Sequence, residues 1–188
     1  MNLLALDLGS VVSGFAYGEA GQLPQRSASI RMRSSSDEID VAVMNIGKFL
    51  RDTFVFFMPD EIVVEDYITK MDMTNARTII ALVEMHGAVR SVAGLYGINV
   101  RRIHGNTVKK HFIGMVSALP KTKGGASSKQ RAEARKATKA AIVKRAQLLG
   151  YVPRDKYDED RSDACAIYDM ACAVLFRKPI QNFKMFGG

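Results

Sequence analysis

Nineteen of the 188 residues are acidic, and four of these stand where a metal ion could use them. Asp7 ends a first apolar run, Glu65 lies near the end of a second (Glu61 to Tyr67), and Asp160 and Asp163, three residues apart, open a C-terminal helical stretch. Carboxylate oxygens are the donors that hard divalent cations prefer, and Mg²⁺ keeps free positions for water and substrate phosphate. Two such ions about 4 Å apart clamp both oxygens of an in-line phosphodiester displacement. The four acids therefore point to metal-dependent cleavage of a nucleic acid. Two Mg²⁺ per site are expected, with Mn²⁺ able to substitute.

The cations are placed to match. The formal net charge is +8, and the segment from Lys121 to Arg145 carries all of that excess: Lys121, Lys123, Lys129, Arg131, Arg135, Lys136, Lys139, Lys144 and Arg145 face a single acid, Glu133. A basic run can be no more than a solvated helix face. Beside a carboxylate cluster it reads instead as a polyanion track, because cations that neutralise phosphates gain from counterion release.

Elements must position these groups. Asn2 to Leu8, Ser13 to Glu19 and Arg26 to Arg33 read as three strands of an antiparallel meander joined by short turns. A helix follows the Ser34 to Ser36 run, led by Asp37 and Glu38 and ending near Thr53. Glu61 to Tyr67 is a β-branched strand, Met73 to Leu95 a long helix closed by Gly97, and Ile98 to Ile103 a further strand. Asn106 is placed to cap a short helix, and Lys129 to Leu149 is helical up to Gly150. The last helix runs from Asp160 to Phe176. Residues 114–138 are expected to form a basic, mobile insertion, with Pro120 and the Gly124, Gly125 pair in its loop. Residues 1–177 make one domain and 178–188 a fraying tail. Three meander strands followed by alternating strands and helices predict an α/β, ribonuclease H-like, mixed five-stranded sheet with helices on both faces.

Within that order the acids separate by geometry. If the first and fourth strands are parallel neighbours, Asp7 and Glu65 project from the same sheet end, where open α/β sheets hold ligands. Asp66 should point to the opposite face, since side chains alternate along a strand, and it stands in reserve. Asp160 and Asp163 share one helix face with Ala164 and Ile167, whereas Asp169 faces away. Taken alone, two acids in a first turn could simply serve the helix dipole.

Composition excludes other classes. With 47% hydrophobic and 24% charged residues, the chain has ordinary globular composition for one domain with its own core. No stretch approaches the roughly 18 to 20 uninterrupted apolar residues of a bilayer span, and Asp7 interrupts the apolar start too early for a signal peptide. A cytoplasmic protein without a membrane partner is expected. Cys165 and Cys172, seven apart on one helix and so about 10 Å apart along its axis, lie beyond disulfide reach and read as reduced packing residues. His86, His104 and His111 are scattered and read as surface or packing groups.

The segment Ala5 to Ala16, ALDLGSVVSGFA, resembles the opening motif of the RuvC family of Holliday junction resolvases, in which Asp-x-Gly-Ser is followed by Thr or Ser, Gly and an aromatic. VVEDY (Val63 to Tyr67), NTVKKHFIG (Asn106 to Gly114) and DRSDACA (Asp160 to Ala166) match the remaining blocks in order, so the resemblance covers about residues 1–177. It implies that Asp7, Glu65, Asp160 and Asp163 bind the catalytic magnesium ions and that Lys109 and Lys139 contact phosphate near the scissile bond, with Lys110 able to replace Lys109. It further implies a homodimer that cuts four-way junctions or related branched DNA by paired nicks, leaving 5′-phosphate and 3′-hydroxyl ends, in a bacterial or phage-infected cytoplasm. A phage-type member is the form it suggests.

Two departures stand out. Where family members often carry an aromatic wedge, this chain has Tyr67 and Ile68 before Lys70, and its 120–138 region is longer and more basic than usual. Other classes fit less well. Asp-x-Gly also opens sugar kinase and actin-like ATPases, but the second Asp-Gly block and the glycine-rich adenosine motif expected there are missing. An RNA-processing or hybrid-cutting nuclease of the same fold is the nearest alternative. A non-catalytic nucleic-acid-binding protein would need the basic track but not the four acids.

Overall fold

The first strand, β1 (Asn2–Asp7), has Leu3, Leu4, Ala5 and Leu6 fully buried in an unbroken row. A strand that alternates apolar and polar residues has one wet face; a continuous apolar run needs cover on both. The computed structural model, which describes residues 1–66, 76–117 and 127–180, gives β1 the central place that requires this. It pairs antiparallel with β2 (Val12–Glu19) and parallel with β4 (Glu61–Glu65). With β3 (Arg26–Arg31) and β5 (Asn99–Ile103) at the edges, the sheet order is β3-β2-β1-β4-β5.

Two cores follow from strand alternation. Leu4, Leu6, Ile62, Val64, Phe15 and Tyr17 face α1 (Ile39–Phe56) and α2 (Ala76–Leu95). Leu3, Ala5, Ala16 and Val63 face α3 (Gly105–Ile113), α4 (Ser128–Leu148) and α5 (Glu159–Met170). By the same alternation Asp7 and Glu65 fall on the α5 side. The helix α5 lies across the middle of that face, touching β1, β2, β3 and β4.

Several boundaries differ from the sequence reading, each for a local reason. Helix α1 continues past Thr53 to Phe56 because Phe54 and Thr53 are buried in its inner stripe, leaving Val55 and Phe56 outside. The short helix α3 is capped by His104 rather than Asn106, with the imidazole Nδ1 accepting the Asn106 N–H at 3.2 Å. Helix α4 starts at Ser128, one residue before the expected Lys129, where Ser127 and Gln130 form a reciprocal capping box; residues 118–126, the loop part of the expected insertion with Lys121 and Lys123, lie outside the described residues. The expected terminal helix ends as α-helix at Met170 and continues as a wider π turn, Ala171–Leu175. Tyr67, Ile68 and Lys70, and tail residues 181–188, also lie outside the described residues.

Helix α2 is not an uninterrupted apolar run, yet it is long and apolar enough on average to match a membrane span. Over 18 residues its mean hydropathy is 1.3, which by length and composition is enough to cross a bilayer. Its stripe of Leu82, Met85, Val89 and Ala93 is buried in the second core, and Glu84 and Arg90 interrupt the run. That pattern is a core helix packed on one side.

Candidate active site

Asp7 and Gly14 are paired across β1 and β2, and Gly14 is where α5 touches the sheet. A Cβ at position 14 would lie 1.8 Å from the Asp160 carbonyl oxygen and 3.1 Å from the Ala164 Cβ. Only glycine allows the first turn of α5 to lie this close to β2, and this contact brings Asp160 beside Asp7. The two carboxyls sense each other: burial first, and then the charge of Asp7, hold the Asp160 carboxyl above the ordinary carboxylate range. Asp163 follows one turn on, about 60° around the axis and on the same side.

Glu65 arrives from the neighbouring strand. Leu6 is in register with Val64, so the next residues, Asp7 and Glu65, end adjacent parallel strands about 4.8 Å apart. The Glu65 carboxylate fills the space that a side chain at residue 105 would need, since a Cβ there would be 1.9 Å from its Oε1. Asp66, on the other parity, turns away and meets Arg102 at 3.9 Å. The four acids thus come from elements that converge on one end of the sheet. As the side chains stand, no three His, Cys, Asp or Glu groups among the described residues close on a single point at ligating distance.

The donor set nevertheless fits hard divalent ions. Asp7 and Asp160 oppose like charges in a partly desolvated place, an arrangement a cation between them would relieve. Stability should therefore depend on pH in a way that metal changes. With its carboxyl raised in the folded state, metal-free protein holds more protons than the unfolded chain between the ordinary carboxylate pKa and the raised Asp160 value, so metal-free stability falls as pH rises through that window. A divalent ion held by Asp160 would bind the deprotonated form, so in that case the gain in melting temperature on adding Mg²⁺ should grow with pH over the same window. Melting curves with Mg²⁺ and with EDTA across about pH 4 to 7 measure it, and a constant Mg²⁺ effect would remove Asp160 from the ion's ligands.

Hydrogen bonds hold α5 in this position. Asp158 caps the helix by accepting the Arg161 N–H, and Ser29 of β3 donates to Asp158 at 2.5 Å while accepting from the same Arg161 N–H. The Arg161 guanidinium donates to Ser27 Oγ at 2.9 Å and to the Tyr151 carbonyl at 3.0 Å. At the far end the Tyr168 hydroxyl donates to the Glu19 carbonyl at 2.7 Å. Sequence reading missed Arg161, Ser27, Ser29 and Asp158. The only signal was an Asp two residues before the acid pair, in N-cap position.

Cations line the same edge. Lys139 of α4 pairs with Glu159. Burial, the largest single effect, works to lower its pKa, but the bond to Glu159 and the charges of Glu159, Asp163 and Asp160 raise it on balance. Arg131 and Arg135 precede Lys139 at helical four-residue steps, making one stripe that leads to the acids; Arg135 is close enough to help lower the Glu159 carboxyl, after the dominant Lys139 hydrogen bond. Lys129, Arg131, Arg135 and Lys136 are exposed, Lys110 is exposed and Lys109 half-buried. The α3 helix that carries Lys109 is tied to α5, since His111 Nε2 lies 2.9 Å from Asp169 and the Tyr151 hydroxyl donates to the other Asp169 oxygen at 2.5 Å.

Cys165 and Cys172 are buried and unbridged, with burial pushing their thiols up to about 12 and about 11. They are packing residues, as expected. His86 is buried on α2 and His104 caps α3.

No protein-family model matches the chain. Curated crossover junction endodeoxyribonucleases RuvC from Rickettsia bellii and Rickettsia conorii are each 28% identical to it over 116 residues, which is 61% of this chain and 72% of theirs. Among solved structures, Thermus thermophilus RuvC superimposes with a TM-score of 0.64 at 14% identity, covering 95% of this chain and 98% of that one. The same protein in complex with Holliday junction substrate also gives 0.64. The yeast mitochondrial Holliday junction resolvase gives 0.53 at 10% identity, covering 88% of this chain and 75% of that one. The fold is the ribonuclease H-like one that the element order predicts.

Proposed function

We infer that this chain is a RuvC-family Holliday junction resolvase, a structure-selective, metal-dependent DNA endonuclease that nicks branched DNA in recombination and repair. The observation that carries this reading is the seating of α5 on Gly14, which sets Asp160 against Asp7 on the face flanked by the basic helix α4. A pair of Mg²⁺ ions held by Asp7, Glu65, Asp160 and Asp163 would supply Lewis acidity at the attacking and leaving oxygens. Lys139 and Lys109 neutralise charge on the phosphate being cut, and α3 and α5 stay in register through the His111–Asp169 contact. Products with 5′-phosphate and 3′-hydroxyl ends follow from attack on the phosphorus by water with the 3′ oxygen leaving.

The substrate has two equivalent strands to cut, so a two-fold dimer presents paired sites. The outer side of α2 leaves Ile80 and Val83 exposed, an apolar strip that a second copy would cover. Such an enzyme works in the cytoplasm of a bacterium or a phage-infected cell. Incubation with four-way, three-way, flap, linear and RNA–DNA hybrid substrates, with Mg²⁺ and with EDTA, tests the assignment. Symmetric, Mg²⁺-dependent nicks in the four-way junction are expected; preferential cutting of the hybrid, or cutting in EDTA, would overturn it.

The basic track makes its own prediction. Replacing Lys129, Arg131, Arg135 and Lys136 together by Gln should weaken junction binding and flatten the slope of log affinity against log salt by about three to four, at about 0.9 for each phosphate no longer neutralised. Fluorescence anisotropy at several salt concentrations reads this directly. An unchanged slope would remove α4 from the DNA surface.

A further inference from the structure

Glu159 is the first residue of α5 and immediately precedes Asp160, yet it turns to the cations. Its Oε2 accepts from the Lys139 ammonium, its Oε1 accepts from the Tyr157 hydroxyl at 3.2 Å, and Arg135 stands one turn before Lys139. Both members of the Lys139–Glu159 pair keep 32% of their side chains in solvent, so the pair sits at the mouth of the site and can exchange with another anion. An ammonium, a hydroxyl and a nearby guanidinium around one carboxylate make the donor arrangement that a phosphodiester takes.

We propose that Glu159 is a displaceable counter-ion: in the DNA-free protein its carboxylate occupies the Lys139 ammonium, and the substrate phosphate takes its place when DNA binds. The proposal rests on the nuclease reading and adds a residue outside the four acids. Glu159 acts through Lys139 and is a positioning residue. It holds the lysine at the cleft between turnovers, because a half-buried ammonium without a partner would turn toward Asp160 and Asp163, the acids whose charge it already senses. An ion pair this exposed is worth about fivefold or less in an equilibrium constant. A phosphate delivered by a whole junction, with the α4 cations engaged at once, displaces it; a solitary anion does not.

The test is a double-mutant cycle of Glu159→Gln and Lys139→Ala, read by junction binding in EDTA, where cutting does not interfere. Gln keeps the shape and the Tyr157 contact while removing the charge. The E159Q variant should bind a four-way junction about threefold more tightly, with the salt slope steeper by about one. This gain should shrink when Lys139 is already Ala, because no pair then has to be broken. Weaker or unchanged binding by E159Q, together with a lower melting temperature, would make the pair only a tie between α4 and α5 and overturn the proposal. An equal gain with and without Lys139 would overturn it too, reducing Glu159 to a general repulsion of DNA. Binding is measured without cleavage, so failure of the nuclease reading would appear in the substrate panel and failure of the counter-ion in this cycle.

Discussion

The Asp7→Asn variant should lose junction cleavage by about a hundredfold to a thousandfold or more, the cost of removing one preorganised electrostatic contributor from a reacting centre. It should bind the same junction as tightly as the parent, since on the proposed reading affinity would come from phosphate contacts on α4 and α3. It should also melt at a higher temperature than the parent in EDTA. Asp7 is only 7% exposed and raises the Asp160 carboxyl by its charge, so a neutral side chain of the same shape removes a repulsion inside the fold. In Mg²⁺ the order should reverse, because a parent that holds the ions through Asp7 would gain stability that the variant lacks. Single-turnover cleavage, anisotropy and melting curves on one preparation measure all three effects. Full cleavage by this variant would remove Asp7 from the ligand set, and a lower melting temperature in EDTA would show that its charge is not opposed.

This opposition of stability and activity explains why some of the site was visible in the chain and some was not. Asp7 ends an apolar run that needs no charge for folding, and Glu65 does the same one strand over, so both break a local pattern without structural gain. Alternation assigns Glu65 rather than Asp66 to the site face, and the pairing of Leu6 with Val64 carries that through. The groups that hold α5 left one trace, the N-cap position of Asp158. Ser27, Ser29, Asp158 and Arg161 meet across more than 120 residues of chain, and polar residues in an edge strand read as solvent-facing until a helix is known to lie over them.

Helix starts show the same limit on a smaller scale. Asn is a strong N-cap residue, which favours Asn106 as the cap of α3. The helix instead begins two residues earlier, at Gly105, where the Glu65 carboxylate occupies the space of a side chain, and His104 becomes the cap. A tertiary contact decides the position, and propensity alone does not contain it. The basic track behaves in the opposite way. Its charge is legible, but its direction becomes clear only when Arg131, Arg135 and Lys139 are seen as a stripe ending at Glu159.

The Gly14→Ala variant should be destabilised by about 3 kcal/mol, the upper part of the usual range for overpacking, and should cut about a hundredfold more slowly, as expected when a reacting constellation moves by roughly 1 Å. The new methyl would meet backbone, 1.8 Å from the Asp160 carbonyl oxygen, and no side-chain rotation can relieve that. Helix α5 cannot rise freely either. Its first turn is bound to β3 through Ser29 and Arg161, and its later part to the β2–β3 turn through Tyr168. Strain must therefore appear as a tilt of the turn that carries Asp160 and Asp163. Gly47→Ala in α1 serves as the matched control, since a Cβ there meets nothing within 4 Å and should stabilise by about 0.5 to 1 kcal/mol through helix propensity. Denaturant unfolding and cleavage rates of the two variants distinguish crowding at one position from a general effect of adding a methyl. If Gly14→Ala kept the parent's stability and rate, α5 would not rest on β2 at this point, and the approach of Asp160 to Asp7 would lose its structural cause.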